Sequence, residues 1–295
     1  MINTYDFTIA RPEYFKQLSV RDLLFLFYKC PQVERNLNLY THYNEIIFTL
    51  SGKKKLNHRN RSWLLTDNTS LFVRKTAYNQ EMVYTWEWEV LAFYFQDDFL
   101  QQVFKTYKPN LPLKNIPAPP TDMIIEINVS EATRAFFYSI VPYFTQPSPP
   151  AESLLELKFK ELIFLILSDP ANSSLLSYVN NMSERSKAPL HEIMEPNYMF
   201  NLSLSEYARI AQRSLASFKR EFSEVYRTTP GKWLTQKRLE YAQVLLENSS
   251  KNVNEIAYES GFENSTHFNR IFKQKFGLPP LQYRKQKTLS LNGVE

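Results

Sequence analysis

The sequence contains few of the residues that form disulfides, metal centres and flexible turns. Its single cysteine, Cys30, excludes an internal disulfide and a cysteine-based zinc site, and is typical of a reducing compartment. Because only five of the 295 residues are glycine, most turns must be made by Asn, Asp and Ser. The longest purely apolar run, Leu162–Leu167, is far shorter than a membrane span. No basic stretch followed by an apolar segment opens the chain, so we expect no signal peptide and a soluble, cytoplasmic protein.

The positive charge lies in the C-terminal third of the chain. Residues 200–295 carry 15 Lys and Arg against 9 Asp and Glu, whereas residues 1–199 carry 20 against 21. A basic segment of this kind favours a polyanion as partner. A solvated basic face has the same composition, so the charge alone does not decide between the two.

Residues 1 to about 125 alternate between apolar and polar positions, as short strands do. The pattern is typical of an antiparallel barrel or sandwich. The clearest strands are Tyr43–Leu50, Ser62–Thr66, Ser70–Arg74 and Met82–Phe95. In the last of these, Tyr84, Trp86 and Trp88 share one face, which either lines a ligand pocket or builds the core.

Helices are predicted after a proline-rich loop at Pro109–Pro120. The first is Glu131–Phe144 and the second is Ala151–Ser168. The second is apolar on so much of its circumference that it must be buried on two sides, against its own barrel or in a homodimer. Residues 169–187 are polar and rich in Asn and Ser, which predicts an interdomain linker. Leu175, Leu176 and Val179 have helical spacing, so part of this linker can be helical.

A motif occurs twice near the C-terminus. Ser-x-x-Glu-x-Ala at residues 203–208 recurs as Asn-x-x-Glu-x-Ala at 252–257, an offset of 49 residues. Phe-x-Arg-x-Phe at residues 218–222 recurs at 268–272, an offset of 50, so the second copy has one extra residue in its turn. The first half of the motif is a capping box that begins a helix. A repeat of this size is one supersecondary unit built twice.

Each copy predicts two helices joined by a tight turn, and the second helix has the features of a DNA recognition helix. These helices are Ser214–Tyr226 and Asn264–Phe276, and Gly261 supplies the positive φ of the second turn. A long helix begins at Thr229-Pro230 and ends near Asn248. It would hold the two units so that they meet successive major grooves, about 34 Å apart.

Both recognition helices have an aromatic face and a polar face. The side chains that point away from the phenylalanines are Ala216, Lys219 and Arg220 in the first, and Thr266, Asn269 and Arg270 in the second, flanked by Ser265 and His267. Arg can pair with guanine, and Asn with adenine, through two hydrogen bonds. A single Arg between two phenylalanines usually forms a surface salt bridge, but its recurrence at a matched position favours DNA recognition.

These motifs resemble those of the AraC/XylS family of bacterial transcription regulators. The second copy carries Ile256-Ala257, Gly261-Phe262, Ser265, Phe268, Arg270, Phe272-Lys273, Phe276-Gly277, Pro279-Pro280 and Tyr283-Arg284. The first copy departs from the family at Arg227, where Gly is common and a positive φ must be tolerated or avoided. The resemblance implies two helix-turn-helix motifs on a central helix. It places Ala216, Lys219, Arg220, Ser265, Thr266, His267, Asn269 and Arg270 in the grooves of DNA.

The N-terminal half resembles the cupin-type sensing or dimerisation domain of that family. The chain is therefore predicted to be a two-domain α+β protein. A cupin-like β-barrel domain is expected at residues 1–168, a linker at 169–187, an all-α domain with two helix-turn-helix motifs at 188–287, and a tail at 288–295. The resemblance implies a transcription regulator, an activator by the habit of the family. It also implies a small-molecule or protein effector, RNA polymerase and a second copy as partners, and no cofactor.

A cupin-type metal enzyme fused to a helical domain is the alternative. Such a site needs several His and carboxylate ligands around one ion. The N-terminal half offers only His42 and His58, which do not form a His-x-His pair. It contains no Ser/His/Asp constellation and no Gly-rich phosphate loop. The sequence therefore favours a regulator over an enzyme, and no metal site is expected.

Overall fold

The computed structural model describes residues 1–30, 34–83, 88–185 and 187–292, with side chains as far as residue 287. The chain divides into two compact units, Met1–Ala188 and Pro189–Glu295. The first consists of two β-sheets with helices, and the second is all-helical in its described part. The predicted α+β class, with a β-domain followed by an all-α domain, is confirmed.

The strands of the first unit form two sheets. In the described residues they are β1 (Ile2–Asn3), β2 (Lys16–Val20), β3 (Leu23–Lys29), β4 (Asn36–Tyr40), β5 (Asn44–Ser51), β6 (Lys54–His58), β7 (Arg61–Leu65), β8 (Ser70–Val73), β9 (Ala77–Met82), β10 (Glu89–Phe95) and β11 (Ile124–Ile127). The strand orders are β1-β4-β9-β6-β7 and β11-β8-β5-β10-β3-β2. Neighbouring strands are antiparallel apart from the parallel pair β1 and β4. Of the predicted aromatic face, Tyr84 and Trp86 lie outside the described residues.

Helices cover one sheet of the first unit and make up the second unit. They are α1 (Thr4–Ile9), α2 (Asp97–Tyr107), α3 (Glu131–Ile140), α4 (Glu152–Ser168) and α5 (Ser173–Ser183), followed by α6 (Leu190–Asn197), α7 (Leu204–Ile210), α8 (Leu215–Tyr226), α9 (Pro230–Asn248), α10 (Val253–Glu259), α11 (Ser265–Phe276) and α12 (Pro280–Asn292). In the described ranges, no helix taken singly has the length and apolar character of a membrane span. A bent pair, Glu152–Ser168 with Pro170–Ser183, meets that test only when the two are counted together.

The six-stranded sheet is buried on both of its faces. On β10, Leu91 and Phe93 face the helices, and the Phe93 ring lies 5.9 Å from that of Phe159 on α4. Val90 and Tyr94 of the same strand point the other way, where Val90 shares an apolar cluster with Leu39 of the other sheet and Tyr94 packs with Phe15. A strand buried on both faces is apolar at nearly every position, which is why β10 reads as a continuous apolar run.

The segment predicted as a linker, residues 169–187, is instead largely helical and belongs to the first unit. α5 buries Leu175, Leu176 and Val179 in the core beneath the six-stranded sheet. The Asn172 side chain donates to the carbonyl oxygens of Asn128 and Ile166, both at 3.1 Å. The polar residues that suggested a linker therefore build the turn between α4 and α5. The first unit extends to Ala188 rather than to residue 168.

The two helix pairs of the second unit begin with matching capping boxes. Before α7, Ser203 Oγ accepts from the Glu206 amide at 3.2 Å, and the Ser203 amide donates to Glu206 Oε2 at 2.6 Å. Before α10, Asn252 and Glu255 make the same two contacts at 2.9 and 2.8 Å. Each box satisfies amide groups that have no partner inside the helix. The helix starts predicted from the repeat are therefore observed.

The turns between the helices also match. Gln212 (φ +53°) and Gly261 (φ +87°) both adopt the left-handed conformation. The following amide groups, of Arg213 and Phe262, donate to carbonyl oxygens in α7 and α10 at 2.9 and 3.0 Å. The extra residue of the second copy is consequently Glu263, which follows this shared turn and precedes α11.

Both recognition helices end in a left-handed residue. This residue is Arg227 (φ +54°) after α8 and Gly277 (φ +82°) after α11. The first copy therefore accepts the strain of a left-handed Arg, about 1 kcal/mol, rather than avoiding it.

Gly261 lies against the protein backbone, whereas Gly277 does not. A Cβ on Gly261 would lie 2.7 Å from the Met199 carbonyl oxygen and 2.9 Å from Arg238 Nε. A Cβ on Gly277 would have no neighbour within 4 Å. The two glycines thus share a positive φ and differ in the space around them.

We predict that Gly261→Ala lowers the free energy of unfolding by about 3 kcal/mol and Gly277→Ala by about 1 kcal/mol. Left-handed strain is common to both substitutions, and the collision at Gly261 adds about 1–3 kcal/mol of overpacking. Urea unfolding of the two variants measures the difference. Equal losses would show that the close approach at Gly261 relaxes without cost.

Candidate nucleic-acid interface

Matched aromatic contacts fix the rotation of α8 and α11 about their axes. Phe222 of α8 packs edge-on against Trp233, with ring centroids 5.9 Å apart and planes at 77°. Phe272 of α11 packs in the same way against Tyr283, at 5.5 Å and 81°. Both phenylalanines are fully buried. Because one face of each helix is held inward by these rings, the opposite face must point to solvent.

The outward faces carry the side chains predicted to contact DNA. Those exposed are Ala216, Lys219 and Arg220 on α8, and Thr266, His267, Asn269 and Arg270 on α11, while Ser265 is half-buried. Within the described part of the chain, neither Arg220 nor Arg270 makes a salt bridge or hydrogen bond. The surface salt bridge considered for an isolated Arg is therefore not formed there. All the donors of both guanidinium groups are available to a ligand.

Other cations of this unit are used within the fold. Lys237 binds Glu195 at 2.8 Å, and Lys275 of α11 binds Glu240 of the central helix α9 at 3.2 Å. Lys275 therefore points back towards α9, away from the outward face that carries Arg270. The basic excess of the C-terminal third thus contains both structural cations and cations without a protein partner among the described residues.

Arg238 of α9 is a structural residue that binds backbone carbonyl groups of its own unit. Its Nε donates to the Tyr198 carbonyl oxygen at 2.7 Å and its Nη2 to that of Phe200 at 2.9 Å. Burial lowers the pKa of Arg238. The residue ties α9 to the segment before α7. A sequence signal existed, since Arg238 lies one helical turn from each of the buried residues Leu234 and Ala242.

The two copies fasten the turn to the recognition helix by different chemistry. In the first copy, Arg213 binds Glu221 of α8 through two hydrogen bonds of 2.6 and 2.7 Å. The Arg213 side chain is only 3% exposed and also donates to the Ala211 carbonyl oxygen at 2.8 Å. At the matched positions of the second copy, Phe262 and Ile271 pack in an apolar cluster. An ion pair in one copy therefore replaces an apolar contact in the other.

We predict that this ion pair can be exchanged for the apolar pair of the second copy. Glu221→Ile alone leaves a buried guanidinium without its carboxylate partner and should lower the free energy of unfolding by about 2–3 kcal/mol. Adding Arg213→Phe should recover most of that loss, because both positions then match Phe262 and Ile271. A double-mutant cycle from urea unfolding measures the coupling. Simple additivity of the two single losses would contradict the prediction.

The histidines considered for a metal enzyme provide no support for that alternative. His42 Nδ1 lies 2.9 Å from Asn3 Nδ2, and its ring packs edge-on against Tyr5 at 5.6 Å. Where the chain is described, no group of three or more His, Cys, Asp and Glu side chains is placed to hold a metal ion.

Two sequence-family models match the chain, one in each unit. The first is described as the ExsA N-terminal regulatory domain and matches residues 44–178. The second is described as a helix-turn-helix domain and matches residues 207–286, which include both helix pairs apart from the beginning of α7.

Curated relatives match the chain over part of its length. The virulence regulon transcriptional activator VirF of Yersinia enterocolitica is 32% identical over 134 residues, which are 45% of this chain and 49% of VirF. The HTH-type transcriptional regulator ExsA of Pseudomonas aeruginosa is 33% identical over 131 residues, 44% of this chain and 47% of ExsA. The chain thus spans about half the length of the curated relatives it matches. Among solved structures, ToxT from Vibrio cholerae aligns with 14% identity and a TM-score of 0.42, covering 90% of this chain and 98% of that one.

Proposed function

Because the chain belongs to the AraC/XylS family of transcription regulators, we propose that it binds a specific DNA site and activates transcription, and that it is not an enzyme. In this proposal, α8 and α11 enter neighbouring major grooves on one side of the duplex. The contacting side chains are Ala216, Lys219 and Arg220 of α8, and Ser265, Thr266, His267, Asn269 and Arg270 of α11.

The matched arginines are the observation that supports this proposal most directly. Arg220 and Arg270 stand at the same position of the two copies, are exposed, and have no protein partner among the described residues. Each lies on the helix face opposite the buried phenylalanines. A guanidinium group in the major groove can donate to O6 and N7 of one guanine. Two such groups on one rigid unit suit a site with two separate recognition elements.

The two recognition helices should read DNA differently. α8 presents Ala216, whose methyl group suits the C5-methyl of thymine or a shape preference. α11 presents Thr266 and Asn269, and the amide of Asn269 can pair with N6 and N7 of adenine. We therefore expect stricter base preference under the second copy than under the first.

We propose that the first unit receives the regulatory input, with a second copy and RNA polymerase as further partners. We also propose that the protein is cytoplasmic and associates with the nucleoid when it is bound to DNA. α4 buries Leu155, Phe159 and Leu162 in its own unit, so the packing alternative for this helix is observed. Leu154 and Leu157 of the same helix remain 37% and 57% exposed. This exposed apolar pair supports a contact of α4 with a second copy.

We predict that Arg270→Ala weakens binding to the preferred DNA site by about 1–3 kcal/mol and relaxes base choice at one position. The preferred site is first selected from a random DNA pool with the wild-type chain. Fluorescence anisotropy then gives the affinity, and repeated selection gives the base preference. Arg270→Lys should keep the charge and lose the base preference, because an ammonium group cannot form the bidentate hydrogen bonds that a guanidinium group makes with guanine.

Lys275→Ala is the matched control for that prediction. It removes a positive charge from the same helix, but that charge is bound to Glu240 on α9. Its effect on affinity should be small and should leave base choice intact. Equal effects of Arg270→Ala and Lys275→Ala would rule out a direct base contact by Arg270.

We also predict that DNA affinity falls steeply as salt rises from about 50 to 200 mM, because phosphate contacts release counterions. Lys219→Ala should lower the slope of log K against log salt by about 1 and leave base preference unchanged. A salt titration of the wild type and this variant by anisotropy measures both quantities. A flat titration would contradict phosphate contacts.

A further inference from the structure

A cavity of about 260 Å³ lies between the two sheets of the first unit. Its walls are mainly apolar and aromatic, and include Phe15, Leu39, Ile47 and Trp88. An engineered cavity of about 150 Å³ in another protein holds benzene, so this volume suits a single ring or short chain that bears one further group. The proposed DNA interface uses none of these residues.

A buried carboxylate reaches this cavity without a full set of partners. Glu45 lies on β5, is 2% exposed and lines the cavity. Its Oε2 has no hydrogen-bond partner among the described residues, although the Tyr78 and Tyr94 hydroxyls hydrogen-bond the carboxyl group. Burial raises the pKa of Glu45 to about 7 against the lowering effect of these two tyrosines. An unpartnered carboxylate oxygen in an apolar site is costly, and a donor from a ligand would remove that cost.

The charges around the cavity favour a positive ligand. Its described lining includes two carboxylates, buried Glu45 and exposed Glu34, and no Lys, Arg or His. No positively charged group acts on the pKa of Glu45. The aromatic rings of Tyr28, Trp88 and Tyr94 also line it. Aromatic faces attract cations, whereas a carboxylate repels an anionic ligand.

We propose that this cavity binds a small organic cation with an apolar body, such as a primary amine or an amidine, whose positive group donates to Glu45 Oε2. The inference rests on the proposed regulatory role of the first unit and names the class of its effector.

The test is calorimetric titration of the full chain with phenethylamine, cyclohexylmethylamine and n-hexylamine. Each amine is compared with the alcohol and the carboxylate of the same apolar group. We expect at least one amine to bind at least tenfold more tightly than its alcohol, and the carboxylates not to bind. If no amine binds more tightly than its alcohol, the inference is overturned.

Glu45→Gln should abolish the preference for the amine, because it removes the charge and keeps the shape of the side chain. Glu126→Gln is the matched control, since Glu126 is an exposed carboxylate on β11 that does not line the cavity. It should bind the amine as the wild type does. An amine preference retained in Glu45→Gln overturns the inference.

Leu37→Trp provides a second variant if Glu45→Gln fails to fold. Leu37 is a half-buried residue of the lining, and a larger side chain there should fill the cavity. Binding of every amine should be lost while the melting temperature stays close to that of the wild type. Undiminished amine binding in a folded Leu37→Trp chain would place the ligand elsewhere and overturn the inference.

The pH dependence of amine affinity distinguishes a direct contact by Glu45 from a purely structural role, because only a direct contact makes the affinity follow the protonation of Glu45. Amine affinity should rise from pH 6 to pH 8 as Glu45 loses its proton, since its pKa is about 7. The other titratable groups of the lining are Cys30, Glu34 and three tyrosines whose pKa values burial raises, Tyr28, Tyr78 and Tyr94. A nearby cation is Lys54, whose pKa burial lowers; its Nζ lies 5.4 Å from the Trp88 ring, and it hydrogen-bonds Cys30 of the lining. A flat profile over this range would overturn the assignment to Glu45.

DNA binding by the same preparations separates this inference from the proposed function. If the wild type selects a DNA site but binds no amine more tightly than its alcohol, only the cation site is refuted. If it binds an amine through Glu45 but selects no DNA site, the proposed function is refuted, and the inference that the cavity binds a small organic cation still holds.

Discussion

The edge-on packing of one phenylalanine against one ring of the next helix determines how each half of the second unit faces solvent. Phe222 against Trp233, and Phe272 against Tyr283, hold α8 and α11 at the same rotation. Everything proposed for Arg220 and Arg270 depends on that rotation, because a turn of half a circle would bury both guanidinium groups. The aromatic contacts thus convert an internal repeat in the sequence into two polar surfaces of matching orientation.

The two copies have kept their geometry while exchanging the chemistry that maintains it. Arg213 and Glu221 do with hydrogen bonds what Phe262 and Ile271 do by apolar packing. The left-handed turn position likewise holds Gln212 in one copy and glycine in the other. Such exchange is expected where geometry alone is needed, since several pairs of side chains can fill one contact. The matched arginines were not exchanged, although no contact among the described residues of the fold requires them.

Local sequence signals predicted the helices of the second unit well. The features that the sequence did not predict depend on contacts between residues that are distant in the chain. The capping residues Ser203 and Asn252 determine helix starts by bonds to the backbone three residues away, so sequence alone located them. The linker prediction failed because Asn172 bonds the carbonyl group of Asn128, 44 residues earlier in the chain, which composition cannot reveal. The structural role of Arg238 depends on contacts of the same kind, since its partners lie about 40 residues earlier. The sequence did not predict Glu45 as a ligand-binding residue. The cavity that it lines forms only when β5 pairs with strands that are distant in the sequence.

The contact of Gly261 with Met199 and Arg238 has a consequence for the DNA that such a protein can use. It brings the second turn close to the chain that precedes the first helix pair, so we expect the two halves to move together. A protein held in this way has little freedom to follow an inserted base pair between the two recognition elements, which would rotate one element about the duplex axis relative to the other. The protein would then select the spacing between the two recognition elements as strictly as their sequence. It would not bind genomic sites of altered spacing, even when every contacted base is present.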